Sequence, residues 1–156
     1  IIETSSTSAA VIRAATASRT AAIGCRLGGE IHGVKVVFDP KKVSYEKLVR
    51  FFLFLHDPTQ LNRQGPDFGT QYRSGIYTVG ADQQAVASKV KAELATAARF
   101  SGRKIVTEVE PAKTFWPAED YHQDYIMKTG RSCHVDLPAA FKAADIQPLA
   151  NAAKTK

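Results

Sequence analysis

NRQGPDFGTQYRSGIY, residues 62–77, sets a polar turn directly before a strand-like segment. Gly65 and Gly69 free the backbone φ angle and Pro66 fixes it, so the turn has a defined shape. Such a turn presents Asp67 and Tyr72 at set positions beside a sheet. Asp67 reads as a buried-type aspartate. Residues 72–79 then alternate Tyr72, Ser74, Ile76 and Thr78 with Arg73, Gly75, Tyr77 and Val79, which predicts a strand. A loop that aims side chains at a sheet edge predicts a pocket.

Upstream of this stretch, residues 34–38 form a β-branched run closed by Asp39-Pro40. Ser44 then opens a helix whose Leu48, Val49, Phe51, Phe52 and Leu55 face a core. Downstream, residues 82–100 have the alanine-rich, glycine-poor composition of a long helix that Asp82 could cap. Residues 105–109 predict another strand. At the N-terminal side, residues 5–17 are rich in alanine behind serines and threonines, which predicts a short helix. Beyond residue 131, Pro138 and Pro148 among alanines predict an irregular tail with one short helix near residues 139–144. Strands alternating with helices and then a tail give an α+β or α/β sandwich over residues 1–130 and an extended, irregular tail over residues 131–156.

A chain of 156 residues with 44% hydrophobic content supports one ordinary core. The longest apolar run, residues 48–55, is short and carries Arg50, so no bilayer-spanning helix is expected and a soluble protein is. The formal charge of +6 favours anionic neighbours, RNA among them, although the basic residues are scattered. Two cysteines, Cys25 and Cys133, make no disulfide framework and show no CxxC spacing. His32, His56, His122 and His134 lack ligand spacing, so neither metal nor cofactor is expected. The first residue is Ile1 rather than Met, so an upstream piece, with any targeting signal, is expected to have been removed or to be missing.

Three stretches carry a resemblance. VVFDPKKVSYEKLVRFFLFLHDPTQLNRQGPDFGTQYRSGIY from residue 36, IVTEVEP from residue 105 and FWPAEDYHQDYI from residue 115 closely resemble the type A peptide methionine sulfoxide reductases. The resemblance implies an α+β fold, a two-layer α/β sandwich with a mixed sheet, and reduction of the S-epimer of methionine sulfoxide by a cysteine nucleophile, recycled by thioredoxin. That chemistry needs a thiolate to attack sulfur, an acid for the departing oxygen, an aromatic wall and usually a resolving cysteine. Asp67 and Tyr72 match the family's pocket aspartate and oxygen-contacting tyrosine. The Glu119-to-Tyr125 segment also matches.

Other parts depart from the family pattern. The family's nucleophile lies in a GCFWG motif, and no such motif is present. Setting Ile23-Gly24-Cys25 and Gly28-Gly29 against the family's valine-glycine-tyrosine and paired glycines, with residues 8–15 as its first helix, puts the nucleophile near Thr4 or Ser5. His32 falls where the family has its acidic glutamate. Cys25, in what reads as a glycine-rich loop, and Cys133, in the region of the family's recycling cysteines, are the two possible thiols. These departures lead to the expectation of a catalytically inactive relative in which Asp67 and Tyr72 are a vestigial pocket, retained for the fold rather than for chemistry. It would be a structural subunit of a larger organellar assembly, a mitochondrial ribosome or respiratory complex, with mitochondrion favoured over chloroplast. The alternative is an active peptide-methionine (S)-S-oxide reductase served by thioredoxin.

Overall fold

A computed structural model describes residues 8–13, 22–25, 32–100, 102–115, 119–121, 128–129 and 137–145. Its main sheet has five strands: β1 (Ser8–Arg13), β2 (Ala22–Cys25), β3 (His32–Phe38), β6 (Gly75–Thr78) and β7 (Glu108–Pro111). They lie in the order β2-β3-β1-β6-β7. The pairs β2/β3, β3/β1 and β1/β6 are antiparallel, and β6/β7 is parallel. The sheet is therefore mixed, as expected. Two further strands, β4 (Arg63–Gln64) and β5 (Asp67–Phe68), pair as a small separate hairpin.

The N-terminal helix expected over residues 5–17 is not there: residues 8–13 are the central strand β1. Alanine's helix preference is worth only a fraction of a kilocalorie per residue. Here ladders with β3 on one side and β6 on the other outweigh it. Residues 5–7 and 14–17 lie outside the described residues.

Helix α1 (Tyr45–Leu55) begins where Ser44 predicts, because the Ser44 hydroxyl accepts the Lys47 amide at 3.3 Å. Glu46 in its first turn suits the positive end of the helix dipole and pairs with Arg50 at 2.8 Å. Ser44→Ala is expected to lower stability by about 1 kcal/mol in urea unfolding. A difference below about 0.2 kcal/mol would mean that packing alone sets this helix start.

Helix α2 (Ala81–Ala95) links β6 to its parallel partner β7. It stops short of the predicted residue 100, since the chain tightens into a 3-10 turn over Ala98–Phe100. Asp82 sits in its first turn, but the cap position is Gly80, whose φ is +91°. The strand expected at residues 105–109 is displaced to Glu108–Pro111. Ile105 and Thr107 are buried there without a ladder, and the Val106 amide donates to the Pro58 carbonyl at 2.9 Å.

Val49, Phe52 and Leu53 of α1 meet Val90 and Leu94 of α2 over Phe38 and Ile76 of the sheet, which makes one core between two layers. The short helix expected near residues 139–144 is α3 (Leu137–Ala143), packed on α1. Phe141 stacks on Phe51 with centroids 4.8 Å apart, and Lys47 pairs with Asp145 at 2.9 Å. Among the described residues no helix is long and apolar enough to cross a membrane.

Candidate functional site

The turn within residues 62–77 forms the β4–β5 hairpin and a 3-10 turn, Thr70–Tyr72, leading into β6. Arg63 pairs with Phe68 and Gln64 with Asp67. Gly65 and Gly69 hold φ of +59° and +132°, conformations that side-chain-bearing residues rarely adopt. The Gly69 amide donates to the Asn62 carbonyl at 2.9 Å and the Tyr72 amide to the Gly69 carbonyl at 2.9 Å. A shaped loop is thus present.

Asp67 is exposed in β5 rather than buried, and its carboxylate makes no hydrogen bond or ion pair with another described residue. It is not the aspartate that holds this loop. That aspartate is Asp57: its Oδ1 accepts the Thr59 amide at 3.0 Å and the Thr59 hydroxyl at 2.6 Å, while its Oδ2 accepts from Gln60 and Arg103. Partial burial pushes the Asp57 carboxyl up, but these donors and the Arg103 charge outweigh it and bring it down to about 2. Gln60 in turn accepts the Gly65 amide through Oε1 at 3.0 Å, tying the loop to its base. The Asp57-Pro58-Thr59 run is an aspartate-turn pattern, the signal by which this residue could have been found.

Tyr72 is half-buried at the end of the 3-10 turn. The residues after it are gripped from two sides. Arg73 Nε donates to Glu108 Oε2 at 2.8 Å, and its other arm reaches the Thr70 carbonyl at 2.9 Å. Ser74 Oγ lies 2.7 Å from His56 Nε2 and 2.8 Å from Thr107 Oγ1.

The direction of that buried chain follows from donor chemistry. His56 Nδ1 is 2.8 Å from the Phe52 carbonyl, which only accepts, so Nδ1 carries the hydrogen. Burial pushes the His56 imidazole down to about 4, so the ring is neutral at pH 7 and Nε2 accepts. Ser74 therefore donates to His56, and Thr107 donates to Ser74.

Of the other candidates, Cys25 ends strand β2 rather than lying in a loop, and its partner across the ladder is His32. The two possible chemistry-bearing residues therefore share one register position. Thr4, Ser5 and Cys133 lie outside the described residues. Glu119, Asp120 and Tyr121 are exposed, while residues 122–125 of that motif are not described. Among the described residues no group of three His, Cys, Asp or Glu side chains could hold a metal.

A family profile described as peptide methionine sulfoxide reductase matches residues 23–151. The peptide methionine sulfoxide reductase MsrA of Pasteurella multocida strain Pm70 is 49% identical over 114 residues, covering 73% of this chain and 64% of its own. The protein of that name in Acidobacterium capsulatum is 50% identical over 110 residues, or 70% of each chain. Among solved structures, methionine sulfoxide reductase A of Corynebacterium diphtheriae aligns with a TM-score of 0.69 at 29% identity. That alignment covers 83% of this chain and 78% of the other. The chain spans about two-thirds of the length of these curated relatives.

These findings overturn the expectation of an inactive structural subunit in an organellar assembly. Relatives about half identical to the chain bear the name of the reductase, not of a ribosomal or respiratory protein. The placement of the nucleophile at Thr4 or Ser5 also loses its footing, because it took residues 8–15 for the family's first helix and residues 8–13 are strand β1.

Proposed function

Because the chain belongs to the peptide methionine sulfoxide reductase family, we propose that the protein reduces methionine S-sulfoxide in polypeptides, with thioredoxin as its recycling reductant. The observation that carries this reading is the profile match over residues 23–151, a span that includes Cys25, Asp67, Tyr72 and Cys133. In the proposed reaction a cysteine thiolate attacks the sulfoxide sulfur, and the oxygen is protonated and passes to the cysteine. The sulfoxide is thereby reduced by two electrons to methionine and the cysteine oxidised to sulfenic acid. A second thiol condenses with the sulfenic acid to a disulfide, releasing water, and thioredoxin reduces that disulfide.

Within this reading Tyr72 holds the sulfoxide oxygen and Asp67 lines the pocket. The test is turnover of a methionine S-sulfoxide peptide by the full-length protein with dithiothreitol. Turnover lost in Cys25→Ser or Cys133→Ser names the nucleophile among this chain's thiols. No turnover by the wild-type protein under conditions where the Pasteurella relative works would overturn the proposal.

A further inference from the structure

The His56–Ser74–Thr107 chain is not needed for any proton transfer in the proposed reaction, yet it joins three of the most enclosed polar side chains described. His56, Ser74 and Thr107 are 7%, 5% and 0% exposed. Buried polar groups in one network hold their carriers in a single arrangement, because any other leaves a donor or acceptor unpaired in a low-dielectric interior. The carriers here are three separate pieces of chain: the end of α1, the start of β6 and the approach to β7. Ser74 lies at their meeting point, two residues after Tyr72.

The backbone repeats the connection. The Glu108 amide donates to the Ser74 carbonyl at 3.0 Å, beside the Thr107–Ser74 hydroxyl contact. The Glu108 carboxylate holds Arg73, which holds the Thr70 carbonyl inside the 3-10 turn. Residues 107–108 thus fix residues 73–74 through both main chain and side chain. Tyr72 sits between that anchor and Gly69, whose carbonyl its amide binds.

We infer that His56, Ser74 and Thr107, together with the Arg73–Glu108 pair, form a clamp that sets the position of the Tyr72 ring. His56 is a positioning residue in this device and transfers no proton. The clamp's consequence for turnover rests on the function proposed above for Tyr72, but its effect on the ring's position does not.

Ser74→Ala removes the central hydroxyl while keeping the side chain small. In protein labelled with carbon-13 in its tyrosine rings, the Tyr72 resonance is assigned by its loss in Tyr72→Phe. It is expected to shift in Ser74→Ala, while the resonance of exposed Tyr121 stays. Folded Ser74→Ala with an unmoved Tyr72 resonance would overturn the inference, whether or not the protein reduces sulfoxide. Glu108→Gln, on the partly exposed limb of the clamp, gives the same readout should Ser74→Ala not fold. Where turnover is measurable, Ser74→Ala is expected to lower kcat/KM about 10-fold beside Tyr72 and less than about 2-fold in a Tyr72→Phe background. Equal losses in both backgrounds would mean a merely structural role and would also overturn it. Absent turnover in the wild type counts against the proposed function alone.

Discussion

Tyr72→Phe is expected to lower kcat/KM for a methionine S-sulfoxide peptide by about 10²-fold or more, the range seen when one donor to a developing oxygen charge is removed. The loss should fall in kcat with KM little changed, since a hydroxyl that holds the departing oxygen acts more strongly in the transition state than on bound substrate. Stability should change little. The Tyr72 ring is half-buried, and its hydroxyl makes no hydrogen bond to another described residue. A stable Tyr72→Phe protein with wild-type kcat would remove Tyr72 from the reaction and leave the tyrosine as packing.

The second large effect is on acid stability, and it comes from His56. Its imidazole lies at about 4 in the folded chain, against 6.5 for the free group, because burial disfavours the charged ring. The unfolded chain therefore binds this proton more readily, so stability falls as pH falls. The contribution is whole above pH 6.5 and is lost progressively toward pH 4. A shift of this size corresponds to about 3 kcal/mol, of which about 2 kcal/mol is gone by pH 5.

Asp57 acts lower on the scale: its carboxyl, depressed from 3.8 to about 2, adds stability above its unfolded value that is lost as pH falls toward 2. Among the described groups, acid sensitivity between pH 6.5 and 4.5 is thus expected from His56. Urea unfolding across that interval should show it, and His56→Gln, less stable at pH 7, should flatten the profile. An equally steep profile in His56→Gln would place the proton elsewhere.

The parts of the fold legible from sequence are those in which local preference and tertiary placement agree. Ser44 caps α1, and Val49 and Phe52, two of the residues read as core-facing, are buried, while buried Leu53 escaped that reading and Phe51 meets Phe141 of α3 instead. Val34, Val36 and Val37 are β-branched and lie within β3. Where the two disagree, composition misleads. Alanines at residues 9 and 10 belong to the central strand because they pair with Val37 and Val36 of β3, while β6 takes up residues 11–13 on the other side. Ile105 has the burial of a strand residue without the pairing, its neighbour Val106 being bound to Pro58 instead.

At the site, the resemblance picked out Asp67 and Tyr72. The local reading of Asp67 as buried failed because an aspartate between proline and phenylalanine has no mark of its exposure. The clamp was illegible for a different reason. Ser74 and Thr107 are ordinary strand-compatible residues, and only the parallel pairing of β6 with β7 brings them together.

That pairing also bears on the order in which the molecule acquires its parts. Ser74 and Thr107 are separated by 33 positions, with all of α2 between them. During synthesis the β4–β5 hairpin can close on itself as soon as it emerges, but the anchor for Tyr72 does not exist until residues 107–108 follow. Parallel strands joined through a helix close a large loop before any contact repays its entropy, and so form late. A nascent chain carrying the whole hairpin would therefore be a precursor with its tyrosine unset, and maturation of the site would coincide with docking of β7.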